Sequence, residues 1–222
     1  MKAVDARINE GLPRGFDFVV SLGGLVLSLP LLFVSAAIIA LTSPGGFLFR
    51  QKRVGRHGGM FVLYKLRTMR ASSTGPQVTR GGDKRITRVG SFLRKTKLDE
   101  LPTLWNVLRG DMALVGPRPE VPRYVKSEDP IWQTVLAVRP GITDPVTLRL
   151  RNEEELLTRV EGNPENYYLN ELQPLKLRGY VMYLEKRNWL SDLKVLWQTL
   201  AVVMVSQPSS TDFTDSTDSI NQ

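Results

Sequence analysis

The sequence predicts a mostly helical α/β fold with a small β-hairpin and one membrane helix near its N-terminal end. Three observations predict this class. Residues 18–41 form an apolar run without a charged side chain. Residues 47–54 and 60–69 are rich in strand-forming residues and flank a glycine-containing turn at residues 55–59. Beyond them, apolar residues recur at helical spacing between glycine and proline breaks.

The composition narrows the chemistry that the chain can perform. With 222 residues it has room for one domain of ordinary size. Its formal net charge of +8 favours anionic partners such as nucleic acid, anionic lipid or phosphorylated substrates. The absence of cysteine excludes a disulfide framework and cysteine-based metal or nucleophilic chemistry, and it fits a protein that faces the cytosol. The single histidine, His57, precedes two glycines in a predicted turn, so nucleophilic and acid–base chemistry falls to carboxylates.

The apolar run at residues 18–41 is long enough for a membrane helix. As a helix it extends about 36 Å, and the core of a bilayer is about 30 Å thick. A cleaved signal peptide is disfavoured because the run is too long and the charges before it are balanced. Proline removes one helical hydrogen bond yet is tolerated inside membranes. A helix that spans the membrane and a helix that breaks at Pro30 and returns to the same side therefore both stay open.

Basic residues dominate the segment after the apolar run. They are Arg50, Lys52, Arg53, Arg56, Lys65, Arg67 and Arg70. The positive-inside rule places this flank, and with it the rest of the chain, on the cytoplasmic side. Lys65 and Arg67 lie on one face of the second predicted strand. A solvated strand face and a patch that binds a diphosphate both explain them.

Residues 97–119 form the centre of the sequence. Two adjacent acids, Asp99 and Glu100, open a predicted helix, and Pro102 is tolerated only in its first turn. The buried face of this helix has the spacing i, i+3, i+4 and i+7 and consists of Leu101, Leu104, Trp105 and Leu108. Asp99 is thereby placed at or next to the N-cap, where the helix dipole favours its ionised form. A capping residue is the ordinary interpretation of Asp99, but the surrounding cations indicate a site for anions: Arg94, Lys95, Lys97 and Arg118.

The sequence also predicts the structure of the segments before and after this helix. The Gly-, Ser- and Thr-rich residues 71–84 are predicted to form a mobile loop before it. After it, Gly110 ends the helix, residues 112–115 suit a short strand, and two prolines hold Arg118 on a stiff loop.

Helices are predicted for the C-terminal half of the chain. Asn152 and Glu155 have the spacing of a capping box, and residues 174–188 form a further helix candidate. Ser191 is predicted to cap the last helix, in which Asp192 is a first-turn acid. Its apolar stripe consists of Leu193, Leu196, Trp197, Leu200 and Met204. A core-facing helix and a helix lying on the membrane both fit this stripe.

Two blocks carry a resemblance to a known family. Asp99-Glu100-Leu101-Pro102 and Gly116-Pro117-Arg118-Pro119 occur at the spacing found in bacterial sugar transferases, the small monotopic phosphoglycosyl transferases. The similarity extends from Phe16-Asp17 to the helix after Asp192, and it includes Arg139-Pro140-Gly141-Ile142-Thr143. It implies transfer of a sugar 1-phosphate from a nucleoside diphosphate sugar, here a UDP-sugar, to polyprenyl (undecaprenyl) phosphate, which begins assembly of exopolysaccharide, lipopolysaccharide or another surface glycan.

The resemblance also implies a topology and a domain division. It favours a re-entrant helix over a spanning one, with the catalytic domain and its interfacial amphipathic helices on the cytoplasmic face of the inner membrane. The predicted parts are a membrane anchor at residues 1–45, a catalytic domain at 46–205 and a disordered tail at 206–222. The chain departs from the family at the break, where Leu29 replaces the usual serine, and at residues 144–148, where a Gly-Trp-Ala-Gln-Val run is usual. The second departure leaves the sugar undefined.

The resemblance assigns roles to particular residues. It makes Asp99 the nucleophile of a covalent route that requires Mg²⁺, and carboxylate chemistry of this kind suits the ion. Asp99 and Glu100 are the predicted catalytic and metal-binding pair, and Glu100 either binds the metal or deprotonates the acceptor. The predicted substrate-binding and phosphate-binding residues are Lys65, Arg67, Arg94, Arg118, Arg139 and Asp192. The expected partners are the UDP-sugar, polyprenyl phosphate and membrane lipid, without nucleic acid, and a homodimer is left open.

Two other functions would explain part of the sequence. A glycoside hydrolase could use Asp99 and Glu100 as its carboxylate pair, but adjacent residues at a helix start rarely face each other at the ~5–10 Å that such enzymes need. A basic membrane-tethered scaffold or nucleic-acid binder would explain the charge and the apolar run. It would not explain two proline-containing motifs that bracket one helix.

Overall fold

The computed structural model describes residues 11–70 and 78–205, with side chains as far as residue 203. The predicted loop tip at residues 71–77, the tail at 206–222 and the first ten residues lie outside this part of the chain. The helices are α1 Arg14–Thr42, α2 Arg88–Lys95, α3 Thr103–Arg109, α4 Pro130–Leu136, α5 Pro145–Arg149, α6 Glu153–Arg159, α7 Pro164–Tyr167, α8 Gln173–Lys186 and α9 Trp189–Val205. The strands are β1 Leu48–Val54, β2 Met60–Leu66, β3 Ala113–Val115 and β4 Gly141–Thr143. This confirms a mostly helical fold with small sheets.

Helix α1 carries the predicted apolar run, with a mean hydropathy of 2.5 over its most apolar stretch. It is the one helix in residues 11–70 and 78–205 that is long and apolar enough to cross a membrane. Pro30 lies inside it, and the helix continues on both sides as a single element instead of the two helices around a break that the family resemblance implied. Proline costs one backbone hydrogen bond, and a long apolar helix tolerates that loss. Its outer face is apolar, with Leu27 83% exposed, whereas its inner face packs on the rest of the protein.

The strands form two sheets of two strands each in the described part of the chain. β1 and β2 are an antiparallel hairpin with Leu48 opposite Leu66. β3 and β4 are parallel, with Ala113 opposite Gly141, and the connection between them contains α4. The hairpin ends at Leu66, earlier than predicted, so that Arg67 follows the strand instead of belonging to it.

Three apolar clusters hold these elements together. The largest lies among α4, α5, α6 and α8 and includes Trp132, Val146, Leu157, Leu172 and Leu177. A second joins the hairpin, α3, β3 and α9 through Leu63, Val107, Met112, Leu114, Val115 and Val195. The third joins α1 to the hairpin and α2 through Ile39, Leu66 and Leu93. The second and third clusters flank the segment that contains Asp99 and Glu100.

Helix α9 begins earlier than the predicted cap at Ser191. Its cap is Asn188, whose Oδ1 accepts a hydrogen bond from the Ser191 N–H at 2.9 Å, while the Asn188 N–H donates to Ser191 Oγ at 2.9 Å. Val195 points into the core, and Trp197 is 71% exposed. The predicted stripe is therefore split. Trp197 and Leu200 are exposed, as on a helix that lies against a membrane, whereas Leu193 and Leu196 are partly buried and Leu196 packs against the second cluster.

Candidate active site

Glu100 connects three separate segments of the chain. Its Oε1 accepts a hydrogen bond from Lys65 Nζ at 2.7 Å and another from Arg118 Nη2 at 2.6 Å. Lys65 comes from β2, Arg118 from the loop after β3, and Glu100 from the 3-10 turn Leu98–Glu100. The two cations hold the pKa of the largely buried Glu100 carboxyl well below its usual range, because their attraction outweighs the desolvation that would raise it. The structure thus brings together three of the predicted site residues.

Asp99 has the opposite environment. Its side chain is 7% exposed, and its Oδ1 finds no hydrogen-bond partner among residues 11–70 and 78–203. Burial, followed by repulsion from Glu100, raises the pKa of Asp99 despite the nearby charges of Lys65, Lys97 and Arg94. The cations favour the ionised form of Asp99, as expected, but burial and the neighbouring Glu100 outweigh them, so the pKa is raised instead of lowered.

The position of Asp99 at a helix N-cap is also corrected. Helix α3 begins at Thr103 with Pro102 as its N-cap, so Asp99 lies in the separate turn before it. That turn starts from Lys97, a residue other than glycine with a φ of 58°. Its carbonyl accepts a hydrogen bond from the Glu100 N–H at 3.2 Å. A left-handed lysine costs on the order of 1 kcal/mol, and such strain is common at functional sites.

Asn106 fixes the position of the hairpin relative to this turn. Its side chain is fully buried in α3, where Nδ2 donates to the Val62 carbonyl at 2.7 Å and Oδ1 accepts from the Tyr64 N–H at 3.1 Å. Thr103 Oγ1 donates to the Tyr64 carbonyl at 3.1 Å. These bonds satisfy the outer edge of β2 and set Lys65, the next residue along the strand, against Glu100. Sequence reasoning missed Asn106, although an amide inside an otherwise apolar helix is a usable signal.

Two glycines bring the second motif into place. A Cβ on Gly141 would lie 2.1 Å from the Gly116 nitrogen, so the backbones of β3 and β4 approach more closely than any side chain would allow. The Gly141 N–H donates to the Pro117 carbonyl at 3.0 Å. The blocks at residues 116–119 and 139–143 therefore form one unit, and this unit carries Arg118 to Glu100.

Arg94 lies at the edge of this group. Its Nε donates to Thr68 Oγ1 at 3.0 Å, and its Nη1 donates to Glu154 at 2.7 Å. Its charge lowers the pKa of Asp99, so it is near enough to act on an anion bound there. Glu154 is half-exposed and lies on α6, so the ion pair is open to solvent and to exchange for a substrate phosphate.

Three predicted site residues lie elsewhere. Arg67 Nη2 donates to the carbonyl of Ser43, the C-cap of α1, at 2.7 Å, and Arg139 Nε donates to the Gly110 carbonyl at 3.2 Å. Asp192 is fully buried. Its oxygens accept hydrogen bonds from Arg187, the Tyr183 hydroxyl and the Leu12 N–H. These contacts give all three residues structural partners, and none of them supports binding to substrate.

The carboxylates can be compared with the needs of Mg²⁺. Residues 11–70 and 78–203 contain no cluster of three or more potential metal-binding acids or histidines. Mg²⁺ commonly uses one or two carboxylates together with substrate phosphates and water. Asp99, with a buried oxygen that lacks a partner, fits this role, whereas the oxygens of Glu100 are already engaged by Lys65 and Arg118.

Comparisons with known proteins match the sequence over nearly the whole chain. A family model described as bacterial sugar transferase matches residues 8–206. A UDP-glucose:undecaprenyl-phosphate glucose-1-phosphate transferase of Caulobacter vibrioides is 37% identical over 209 residues, which cover 92% of this chain and 72% of that protein. The exopolysaccharide production protein ExoY of Sinorhizobium fredii is 29% identical over 88% of this chain and 87% of its own length. The undecaprenyl-phosphate galactose phosphotransferase of Salmonella typhimurium is 34% identical, and the match spans 41% of that longer protein.

Proposed function

Because the chain belongs to the bacterial sugar transferase family, we propose that it transfers a sugar 1-phosphate from a UDP-sugar to undecaprenyl phosphate and so initiates assembly of a surface polysaccharide. Relatives with 34–37% identity bear names that state such transfers, with glucose or galactose as the sugar. The observation that carries the proposal is the contrast between the two adjacent acids. Glu100 accepts hydrogen bonds from Lys65 and Arg118, whereas Asp99 is buried and its Oδ1 has no hydrogen-bond partner in the described part of the chain.

In the first step, a carboxylate oxygen of Asp99 forms a bond to the phosphorus that bears the sugar. The bond from that phosphorus to the bridging oxygen of the diphosphate breaks, and this oxygen leaves with the bonding electrons as part of UMP. The product is an acyl phosphate between Asp99 and the sugar 1-phosphate. Arg118, Lys65 and Arg94 lie around the acid pair and can offset the negative charge that otherwise repels a carboxylate from a diphosphate.

In the second step, an oxygen of undecaprenyl phosphate forms a bond to the same phosphorus. The acyl phosphate bond breaks, which returns the Asp99 carboxylate and yields undecaprenyl diphosphate sugar. Mg²⁺, when bound at Asp99 and the substrate phosphates, would supply further charge neutralisation. A carboxylate with a strongly lowered pKa is a weak base, so we assign Glu100 to holding Lys65 and Arg118 rather than to deprotonating the acceptor.

The packing of α1 supports a proposal for the membrane topology. Near its start, Arg14 Nη2 donates to the Leu108 carbonyl at 2.8 Å and Asp17 Oδ1 accepts from the Leu114 N–H at 3.2 Å. Near its end, Ile39 packs with Leu66 and Leu93. Asp17 and Ile39 are about 33 Å apart along a helix, as far as a bilayer core is thick. A spanning α1 would draw the surface that it contacts across the membrane, so both ends of α1 are proposed to face the cytoplasm.

The same arrangement suggests how the protein lies on the inner membrane. The outer face of α1 is apolar along its length, and exposed Trp197 and Leu200 on α9 add a second apolar surface. We assign the outer face of α1 to the cytoplasmic leaflet and α9 to its interface. With this orientation the catalytic domain is proposed to lie on the cytoplasmic face, where an acceptor can keep its tail in lipid.

The activity is tested by omitting the acceptor. Protein in nanodiscs is incubated with Mg²⁺ and a panel of UDP-sugars, and UMP is measured. We expect a burst equal to the enzyme present with the correct sugar, and turnover only after undecaprenyl phosphate is added. The Asp99→Asn variant should give no burst. Release of UDP instead of UMP would contradict phosphosugar transfer, and turnover without a burst in any condition would favour direct transfer over the covalent route.

The topology is tested with introduced cysteines, since the chain contains none of its own. Single cysteines at Ala3 and Ser209 should both resist an impermeant thiol reagent in intact cells and react after permeabilisation. Labelling of Ala3 alone would place the two ends of α1 on opposite sides. A Pro30→Leu variant should shift part of the population toward that spanning state, because it removes the residue that weakens the helix in the middle.

A further inference from the structure

An apolar pocket of about 350 Å³ lies between the membrane helix and the hairpin. Its walls include Leu25 and Leu32 from α1, Leu48 and Leu66 from the hairpin, and Pro102 and Trp105 at the start of α3. None of its lining residues is charged. Trp105 is 49% exposed, so the pocket has an open side instead of being a sealed cavity.

The pocket adjoins the reacting groups. Pro102 is the N-cap of α3 and follows the Leu98–Glu100 turn after a single residue. On β2, the pocket-lining Tyr64 and Leu66 alternate with Lys65, which points to Glu100. One strand therefore separates an apolar compartment from the cationic group that is proposed to hold phosphates.

The pocket also adjoins the surface that is proposed to meet lipid. Leu25 and Leu32 lie on either side of Pro30, and the neighbouring Leu27 and Phe33 are among the most exposed side chains of α1. A Cβ added at Gly24 would lie 3.2 Å from Leu104 Cδ1, so the backbone of α1 packs closely against this leucine of α3. A molecule with an apolar chain and a phosphate at one end could extend from the lipid through the pocket toward Asp99.

We infer that this pocket binds the phosphate-proximal isoprene units of the polyprenyl phosphate acceptor, an inference that rests on the proposed function. An apolar cavity of about 150 Å³ can hold one benzene molecule, so this pocket has room for roughly two five-carbon isoprene units. Isoprene units are branched and apolar, as are the leucines that line the walls. The pocket fixes the direction from which the acceptor phosphate reaches Asp99, and it distinguishes a polyprenyl phosphate from other lipid phosphates.

The first test fills the pocket. The Leu25→Trp variant places a larger side chain in it, and Leu27→Trp makes the same change two residues away on the outer face of α1. Full-length proteins in nanodiscs are compared by the UMP burst without acceptor and by the KM for undecaprenyl phosphate. Leu25→Trp should keep the burst amplitude, because the donor step does not use the acceptor, and should raise the acceptor KM about tenfold or more. Leu27→Trp should match the wild type in both measurements.

Measuring the UMP burst without acceptor distinguishes an error in the pocket assignment from an error in the proposed function. Wild-type protein without a burst for any UDP-sugar would refute the function itself. A normal burst with an unchanged acceptor KM in Leu25→Trp would overturn the pocket assignment alone. A KM that rises equally in both variants would also overturn it, since the effect would then come from the membrane face and not from the pocket.

The second test does not depend on a variant. A farnesyl phosphate that carries a diazirine on its second isoprene unit is photolysed with wild-type protein, and the labelled peptides are identified. Labels should lie on peptides that contain Leu25, Leu32 or Trp105, and undecaprenyl phosphate should suppress them while phosphatidylglycerol at the same concentration does not. Equal suppression by phosphatidylglycerol would identify a general lipid site and overturn the assignment, as would labels confined to other peptides.

Discussion

Replacement of Asn106 by alanine tests whether α3 positions the hairpin for catalysis. The variant removes the donor to the Val62 carbonyl and the acceptor for the Tyr64 N–H, two backbone groups on the edge of β2 that the structure satisfies in this way. Each buried group left without a partner costs about 1–3 kcal/mol. The free energy of unfolding should therefore fall by about 3 kcal/mol, which corresponds to a decrease in Tm of about 6–12 °C for a chain of this size.

The same variant should slow the donor step beyond what the loss of stability explains. Lys65 follows Tyr64 directly and donates to Glu100 at 2.7 Å, so a shift of the strand moves a cation of the site. A misplacement of about 1 Å in such a site can reduce the rate about a hundredfold. The rate of the UMP burst should fall by about 10- to 100-fold at a temperature at which the variant is still folded, as judged by circular dichroism.

Asn152→Ala provides the matched control for this experiment. Asn152 is the N-cap of α6, and its side chain makes no capping hydrogen bond, so its removal should change Tm by a degree or two and leave the burst rate within a factor of two. If Asn106→Ala behaved in the same way as this control, the argument that Asn106 holds the edge of β2 and the position of Lys65 would be refuted.

Three further predictions concern the charges and glycines of the site. Arg118→Lys keeps the charge but loses the paired donors to Glu100, so the burst rate should fall sharply in pre-steady-state assays, and a near-normal rate would return Arg118 to a purely structural role. Gly141→Ala should lower Tm strongly, because its Cβ would lie 2.1 Å from the Gly116 nitrogen and must separate β3 from β4; an unchanged Tm would show that this contact yields easily. The pKa of Asp99 is raised in the folded state, so this carboxyl favours folding below its ordinary pKa of 3.8 and disfavours it as the pH rises through the folded pKa. The difference in Tm between Asp99→Asn and wild type should therefore become more positive as the pH increases from 4 to 8, and a difference independent of pH would contradict the raised pKa.

Much of the fold was predictable because it depends on local patterns. The charge-free run predicts α1, and the glycine turn between two strand-like segments predicts the hairpin to within a few residues. The family resemblance names Glu100, Lys65 and Arg118 as site residues, and the structure brings the three together. The apolar helix and the hairpin, by contrast, follow from residue type and spacing alone.

The errors concern features that depend on distant parts of the chain. Asp192 is a first-turn acid of α9, as its spacing predicts, but the spacing does not reveal that it accepts a hydrogen bond from the Leu12 N–H, 180 residues earlier in the chain. Arg67 matches the alternation of a strand face, but β2 ends one residue before it, and the guanidinium donates to the end of α1. Asp99 was placed at an N-cap because periodicity does not reveal that Lys97 adopts a left-handed conformation and starts a separate turn. Tertiary contacts decide each of these cases.

The adjacent acids are separated in function by what surrounds them. Every contact of the Glu100 carboxylate stabilises its charge, so it is held ionised and would lose much by forming a bond to phosphorus. Asp99 has lost water through burial without gaining a partner for Oδ1, so its ionised form is high in energy before substrate binds. Bond formation to phosphorus removes that unsatisfied charge, and cations already arranged by Glu100 neutralise the charge that remains on the phosphoryl oxygens. We therefore propose that the first acid attacks phosphorus and the second organises the site, and exchanging the two residues should abolish the burst even though the composition of the site is unchanged.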